Sequence, residues 1–158
     1  MDNKVTIRNA KESDIETVIE IWKEFIDFHK ERDRLLTRRA DGHEYFAKFF
    51  RENMEKETSH VLVAEIAGKI VGYCQNMIVE FPPVLVTEKY GNVMDMAVTE
   101  KYRSQGIGEK FFNEAKKWFR EKGLERLEVR VLAANEIATN FWRKMGFKPY
   151  LETVYMEI

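Results

Sequence analysis

The chain has 158 residues, of which 44% are apolar and 13% aromatic, so we expect a single domain, residues 1–158, with a sizeable core. The 26 basic residues nearly balance the 27 acidic ones, and the net charge of −1 argues against nucleic acid or an anionic membrane as a partner. Cys74 is the only cysteine and the three histidines show no metal-ligand spacing, which excludes a disulfide within the chain and predicts no metal site. Because the sequence shows no signal peptide and no apolar run long enough to span a bilayer, we predict a cytoplasmic protein.

The first third of the chain predicts one strand and two helices. Val5–Arg8 is typical of a short strand, and Ser13 with Glu16 forms the capping-box pattern that begins a helix. The apolar residues of this helix recur at helical spacing on one face: Ile15, Val18, Ile19, Trp22, Phe25 and Ile26. The charge-dense stretch 29–39 predicts a mobile connection to a second helix, which begins near Asp41.

The middle of the chain predicts a β-hairpin. His60–Glu65 and Ile70–Glu80 are rich in β-favouring residues, and Ala67-Gly68 between them suits a tight two-residue turn. Pro82 and Pro83 end the second strand, because proline cannot donate a hydrogen bond to a strand partner.

The last third of the chain alternates strands with helices. Strands are predicted at Val93–Val98, Arg126–Leu132 and Thr153–Ile158, and helices at Gly106–Lys122 and Asn135–Met145. The hairpin in the middle of the chain and the two strand-to-helix crossings at its end indicate an α+β fold, in which helices cover a mixed sheet.

The turn between the strand Val93–Val98 and the following helix carries the most informative pattern. The first amides of a helix lack internal partners and lie at the positive end of its dipole, so they suit a phosphate. Gly106 and Gly108 allow a ligand to approach the backbone closely, and Arg103 adds a guanidinium group. A purely structural turn is the alternative. The turn lacks the third glycine of a dinucleotide fingerprint and the Gly-Lys-Ser/Thr of a P-loop.

Two motifs in this order resemble those of the GNAT acetyltransferases. The run Arg103–Gly108 matches their pyrophosphate-binding signature, Arg/Gln-x-x-Gly-x-Gly/Ala. Further on, Asn135, Ala138, Phe141 and the run Met145–Phe147 match a second family pattern. The resemblance covers about the whole chain and implies a mixed, mostly antiparallel sheet of six to seven strands. It also implies about four flanking helices and a splayed pair of central strands.

The resemblance further implies an N-acetyltransferase that uses acetyl-CoA, released as CoA, as its co-substrate. Pantetheine would lie along the Val93–Val98 strand as an added strand does, and pyrophosphate would lie on the loop amides. The residues implied in cofactor binding are Met96, Ala97, Val98, Arg103, Ser104, Gln105, Gly106, Ile107, Gly108, Asn135, Phe141, Trp142 and Lys144. For Asn135, Phe141 and Lys144 the alternatives of helix cap, core packing and solvated helix face stay open.

Acetyl transfer requires a neutral amine, and an alkylamine with a pKa of about 10.4 must first lose a proton. Asp95, a carboxylate within an apolar strand, is a candidate base, because burial raises the pKa of a carboxyl group. A structural role for Asp95 stays open, and Glu80 is a weaker candidate for the base.

Trp142 stands where the family commonly has a tyrosine that is proposed to protonate the departing thiolate. Tyr150 is then a candidate acid.

The favoured interpretation is direct transfer, in a ternary complex, to a primary amine of a small molecule or a protein. A non-catalytic CoA-binding or regulatory module is the first alternative, and a structural or interaction domain the second. We expect the acceptor to be selected by the stretch 29–39 and by Pro149–Glu152, where the family usually places acceptor contacts. A homodimer is left open.

Overall fold

The computed structural model describes residues 4–158 and contains one five-stranded sheet in the order β1-β2-β3-β4-β5. The strands are β1 Val5–Asn9, β2 Ser59–Ile66, β3 Lys69–Glu80, β4 Lys89–Val98 and β5 Leu127–Val129. The first three pairings are antiparallel and the last, between β4 and β5, is parallel. The predicted mixed, mostly antiparallel sheet is confirmed, with five strands in place of six to seven.

Within residues 4–158, four α-helices flank the sheet, as predicted: α1 Ile15–Lys30, α2 Gly42–Glu55, α3 Ile107–Glu121 and α4 Glu136–Lys144. Successive side chains of β2 point to opposite faces, so Val63 joins the cluster with α1 and α2 while Leu62 joins the cluster with α3. The sheet is therefore covered on both faces. Among residues 4–158, no helix is long and apolar enough to cross a membrane.

The beginning of α1 differs from the prediction. The chain enters α1 through a 3-10 turn, Glu12–Asp14, and Asp14 rather than Ser13 accepts the Lys11 amide, at 2.8 Å. Arg8 donates two hydrogen bonds to the same carboxylate, and these chiefly hold the pKa of Asp14 below its ordinary value. The predicted cap at Ser13 is wrong: the residue before α1 is Asp14, and its carboxylate binds Arg8 and the Lys11 amide rather than an amide of α1.

The stretch 29–39 is only partly a connection. His29 lies in the last turn of α1, and Arg34–Leu36 forms a second 3-10 turn. The Arg38 guanidinium binds Asp27 of α1 at 3.0 Å, which ties this segment back to the helix.

The turn between β2 and β3 is the predicted tight hairpin. Ala67 and Gly68 both have positive φ, 47° and 77°, as a type I′ turn requires at its two central positions.

The predicted final strand, Thr153–Ile158, is not formed. Residues 148–158 have no regular secondary structure, and β5 is shorter than the predicted Arg126–Leu132. A strand needs a partner, and among residues 4–158 the outer edge of β5 has none.

Candidate active site

A β-bulge shapes the strand that carries the candidate base. In the antiparallel pair of β3 and β4, Gln75 lies opposite Asp95 and Asn76 lies opposite Val93, so Met94 is the extra residue. A bulge bends its strand and redirects the side chains next to it. Here it immediately follows Val93, the last residue of β4 that pairs with β5.

The parallel strands β4 and β5 pair only from Gly91 to Val93 and then separate. The predicted splayed pair is therefore confirmed. The second half of β4, Met94–Val98, has no partner on this side among the described residues, and a cavity of about 520 Å³ opens between the strands. Main-chain groups of β4 thus face a space in which an extended ligand can lie beside them as a strand would.

The cavity continues to the loop before α3, where amide groups converge. Within residues 4–158, the amides from Ser104 to Glu109 donate to no backbone carbonyl. Gly106 caps α3 in the left-handed conformation, with φ 76°, and Ser104 also has positive φ, 59°. A Cβ on Gly108 would lie 3.2 Å from the Phe141 ring. The two glycines therefore have different roles: Gly106 allows the left-handed turn, and Gly108 leaves space beside the Phe141 ring.

Arg103 is engaged by the protein itself. Its Nε donates to the Val98 carbonyl at 2.9 Å, and its Nη2 lies 2.8 Å from Glu24 Oε1. The same Glu24 carboxylate accepts the Thr99 hydroxyl and the Glu100 amide at 2.8 and 2.7 Å. Arg103 and Glu24 therefore hold the loop against α1. Sequence reasoning missed Glu24, whose place on the polar face of a helix gave no signal.

Asn135 caps α4 and also faces the cavity. Its Oδ1 accepts a hydrogen bond from the Ala138 amide at 3.1 Å, which confirms the helix-cap alternative, and its Nδ2 lies 3.5 Å from His29 Nε2.

Phe141 and Trp142 line the cavity and pack edge-on to each other, with ring centroids 4.9 Å apart. Lys144 also lies on the cavity wall, where its Nζ is 3.4 Å from Glu109 Oε2.

Asp95 lies on the cavity wall at the end of a polar chain. Its Oδ2 accepts a hydrogen bond from Gln75 Nε2 at 3.3 Å, and Gln75 Oε1 accepts one from Asn53 at 3.0 Å. Burial raises the pKa of Asp95 to about 6, against smaller opposing effects of Gln75 and the nearby His29. The carboxyl group is thus ionised at neutral pH and is a stronger base than an exposed aspartate.

His29 was predicted only as the first residue of the acceptor-selecting stretch 29–39, and sequence reasoning missed it as a candidate proton acceptor. Its Nδ1 is 2.8 Å from the Phe25 carbonyl oxygen, and because a carbonyl only accepts, Nδ1 carries the proton. In the neutral ring, Nε2 then holds the lone pair, next to the Asn135 amide group. The rings of Phe25 and Phe28 pack on His29 at 4.4 and 5.5 Å. The only indication in the sequence that His29 faces the site is its position one helical turn after the apolar residue Phe25.

Two predicted site residues do not line the cavity. Gln105 turns back to donate to the Lys101 carbonyl at 3.3 Å. Tyr150 is 72% exposed, and its ring packs on the Arg126 guanidinium, 4.2 Å away. The weaker candidate base Glu80 lies at the far end of β3, 3.9 Å from Lys89 Nζ.

A second cavity, of about 590 Å³, lies between the end of α1 and the segment 37–40. The Asp27–Arg38 ion pair contributes both of its side chains to this cavity, and no residue of β4 or α3 borders it. The convergent amides and the candidate base belong to the cavity between β4 and β5 instead.

Comparison with known proteins agrees with this geometry. An N-alpha-acetyltransferase of Sulfurisphaera tokodaii is 31% identical over 90% of this chain and 79% of its own length. A putative ribosomal protein bS18-alanine N-acetyltransferase of Bacillus subtilis is 28% identical over 94% of this chain and 84% of its own. The crystal structure of a predicted acetyltransferase of Clostridium acetobutylicum with acetyl-CoA superposes with a TM-score of 0.77 at 17% identity, over 98% of this chain and 96% of that one. Residues 19–147 match the profile of the Acetyltransferase (GNAT) family, and the chain belongs to that family.

Proposed function

We propose that the chain acts as one domain that transfers the acetyl group of acetyl-CoA directly to a primary amine of a small molecule or a protein. The observation that carries the proposal is a line of main-chain groups on the cavity wall in two stretches: the side of Met94–Val98 that has no strand partner, and the amides from Ser104 to Glu109, which donate to no backbone carbonyl. This line has the two parts that CoA needs, an extended edge for an amide-containing arm and an amide cluster for phosphates.

The cavity residues fit this co-substrate. Pantetheine would lie along Met96, Ala97 and Val98, and the pyrophosphate on the amides from Ser104 to Gly108. Phe141 and Trp142 would form an apolar wall for the arm. Lys144 would supply a cation, after exchanging its exposed pairing with Glu109 for a phosphate. The Asn135 amide group, which faces the cavity through its Nδ2, would donate to pantetheine.

The reaction requires a proton acceptor, and two groups stand on the cavity wall. Asp95 combines burial with a pKa raised to about 6, and His29 presents the lone pair of Nε2. The amine gives its proton to one of these groups, directly or through water, before its nitrogen attacks the thioester carbonyl. The carbon–sulfur bond then breaks, the nitrogen gives up a second proton to water as the amide forms, and the departing thiolate takes up a proton.

The source of that last proton is solvent in this proposal. An indole N–H is not a usable acid near neutral pH, so Trp142 forms a wall of the cavity. A thiol has a pKa of about 8.5, so the thiolate is a moderate leaving group and needs little help. Tyr150 lies outside the cavity wall, on the Arg126 side chain.

The acceptor belongs to the class of primary amines. The relatives from Sulfurisphaera tokodaii and Bacillus subtilis are named for N-alpha and alanine acetylation, which supports a protein N-terminus as one acceptor to test. The cavity wall includes the aromatic rings of Phe25 and Phe28 from α1 and the charged side chain of Arg130, which follows β5. A cytoplasmic location and the lack of nucleic-acid and membrane partners stay predictions from composition.

A screen tests the proposal. Release of CoA thiol from acetyl-CoA is followed with a panel of N-terminal peptides, lysine peptides, polyamines and aminoglycosides, and the acetylated amine is identified by mass. We expect thiol release that depends on one class of amine. Binding of CoA in a calorimeter without turnover on any acceptor would favour the non-catalytic module, and the absence of binding would contradict both.

A further inference from the structure

Three side chains form a polar chain that joins α2 to the candidate base. Asn53 Nδ2 donates to Gln75 Oε1 at 3.0 Å, and Gln75 Nε2 donates to Asp95 Oδ2 at 3.3 Å. Both amides are buried, Asn53 with 1% and Gln75 with 0% of its surface exposed. The other buried residues of α2 are apolar: Phe46, Ala47 and Phe50. The polar chain therefore crosses a contact between helix and sheet that is otherwise apolar on the side of α2.

The direction of these hydrogen bonds follows from the ionised carboxylate. A carboxylate only accepts, so Gln75 turns its amide nitrogen toward Asp95. The Gln75 oxygen then faces Asn53, which must donate in its turn. Each donor in the polar chain points toward Asp95, and the chain therefore favours the ionised form of that carboxyl group.

The polar chain has a cost that packing alone does not explain. Asn53 Oδ1 is buried and accepts no hydrogen bond from residues 4–158. A buried acceptor without a donor has lost the hydrogen bonds that water would give it. A leucine at position 53 would bury apolar surface without this cost. The amide is therefore better explained by the group that it holds in place than by the packing of α2 on the sheet.

The two oxygens of Asp95 have different surroundings. Oδ2 is bound by Gln75, whereas Oδ1 has no hydrogen-bond partner among residues 4–158. The Asp95 side chain lies on the cavity wall and is partly exposed, and Oδ1 is not among the unpaired atoms that are shut off from solvent. Oδ1 is thus the oxygen that an acceptor amine in the cavity can reach.

We propose that Asn53 and Gln75 are positioning residues, which hold Asp95 by Oδ2 and leave Oδ1 to take the proton of the acceptor amine. In the proposed acetyl transfer, on which this role depends, the protonated amine gives one proton to Oδ1, directly or through water, and becomes the neutral nucleophile. Gln75 stays bound to Oδ2, so the carboxyl group keeps its orientation. The proton then passes from Oδ1 to water, which restores the carboxylate.

Other ionisable groups surround Asp95, and a test of the polar chain must keep them constant. Tyr73 and Cys74 of β3 are buried near its charge, and burial raises the pKa of both groups, which keeps them neutral. The remaining groups share the cavity wall with Asp95: His29, Arg103, Glu109, Arg130 and Lys144. Substitutions at positions 53 and 75 retain every one of these side chains.

Titration of Asp95 by carbon NMR tests the role without any substrate. In protein labelled at the aspartate carboxyl carbons, the signal that is missing in Asp95→Asn should titrate near pH 6. Gln75→Met removes the donor and keeps the length of the side chain, so the midpoint should move up by about 0.5–1 pH unit. Asn53→Leu should move it less, in the same direction, because Gln75 loses only its anchor. An unchanged midpoint in both variants would overturn the proposal.

Asn76→Leu is the matched control. Asn76 is the next residue of β3 and is equally buried, but its amide donates to the His60 carbonyl, at 3.1 Å. This variant should lose stability without any change in the Asp95 midpoint. The double variant of Asn53→Leu and Gln75→Met should match Gln75→Met alone, because Asn53 acts through Gln75. An equal shift in Asn76→Leu, or additive shifts in the double variant, would indicate a general loosening of the sheet and overturn the positioning role.

Rates of thiol release by the same variants separate this role from the proposed function. The acid limb of kcat should move up with the NMR midpoint, and the plateau should fall by about tenfold as Asp95 loses its orientation. If thermal melts show that Gln75→Met does not fold, Asn53→Leu decides alone. No release by the wild type with any amine would contradict the acetyl transfer itself. Release by the wild type, with an acid limb that stays in place in the folded variants, would overturn only the role of Asn53 and Gln75.

Discussion

The cavity has two walls that are built by different means. One, the backbone wall, consists of Met94–Val98 and the amides of residues 104–109, and it offers main-chain groups. The other, the side-chain wall, consists of Phe25, Phe28, His29 and Asp95, and it offers rings and proton acceptors. Main-chain groups bind acetyl-CoA, which is the same co-substrate for every acceptor. Side chains determine the chemistry and the choice of acceptor. Changes in the first wall should therefore abolish binding, and changes in the second should slow the reaction.

The largest effect is expected at the start of α3. Gly106→Val places a β-branched residue at φ 76°, where the loop must distort and its amides move away from the phosphate position. Affinity for CoA should fall by at least about 100-fold, roughly 3 kcal/mol, in calorimetry.

A matched control separates this effect from strain alone. Gly68 in the β2–β3 turn has φ 77°, and a Cβ there is as unobstructed as one at Gly106. Both valine variants should lose roughly 1–2 kcal/mol of unfolding free energy from the left-handed conformation. Only Gly106→Val should lose CoA binding, and tight binding by this variant in its folded form would contradict the backbone wall.

The next largest effect is expected at Asp95. Asp95→Asn keeps the shape of the side chain and removes its basicity, so kcat should fall by about 100-fold at saturating substrates. Because a base must be ionised to act, the wild-type rate should rise with pH as Asp95 loses its proton near pH 6 and level off above that value. This acid limb should be missing in the variant. An unchanged rate and pH profile would assign Asp95 a structural role.

A smaller and more selective effect is expected at His29. His29→Asn keeps a donor for the Phe25 carbonyl but lacks the basic Nε2, so kcat/KM should fall by about tenfold with a strongly basic amine. A weakly basic amine of similar size, such as aminoacetonitrile beside propylamine, is already neutral and should lose little. His43→Asn, in the first turn of α2 and outside the cavity, is the control. Equal losses with both amines would point to a positioning role instead.

The smallest effect is expected at Trp142. This buried ring packs edge-on against Phe112 and Phe147, so Trp142→Phe keeps an aromatic face and should weaken CoA binding by less than about tenfold. The single-turnover rate at saturating acetyl-CoA should stay within about threefold. Tyr150→Phe should leave the rate unchanged, because this side chain is exposed. A hundredfold loss in Trp142→Phe would contradict its role as a wall, and such a loss in Tyr150→Phe alone would identify the missing acid.

The contrast between the walls also shows how much of the site the sequence could reveal. The backbone wall was predictable because its pattern is local: a strand, a loop and a helix within Val93–Gly108, with glycines at the positions that the turn requires. The side-chain wall was predictable only at Asp95. His29 reaches the cavity from α1, and Glu24 of the same helix binds Arg103 of the loop. Both lie more than 60 residues from their partners in sequence, and their place depends on how α1 packs on the sheet.

The same contrast between local patterns and contacts distant in sequence applies to the fold. The tight turn at Ala67-Gly68 was predictable from two residues. The bulge at Met94 was not predictable from composition, because it is a property of the register between two strands. The strand predicted at Thr153–Ile158 has a strand's composition but no partner within the described chain. The composition of a segment indicates which secondary structure it favours, but a strand forms only where it has a partner strand.

Hydrogen exchange of the wild-type protein with and without CoA tests the central claim most directly. We expect CoA to slow exchange of the amides from Ser104 to Glu109 and of Met96 and Val98, which face away from β3 and have no strand partner on the cavity side. Protection should spread little to the cavity beside Asp27 and Arg38. Slowed exchange confined to that second cavity, or no change at the start of α3 despite saturating CoA, would contradict the account.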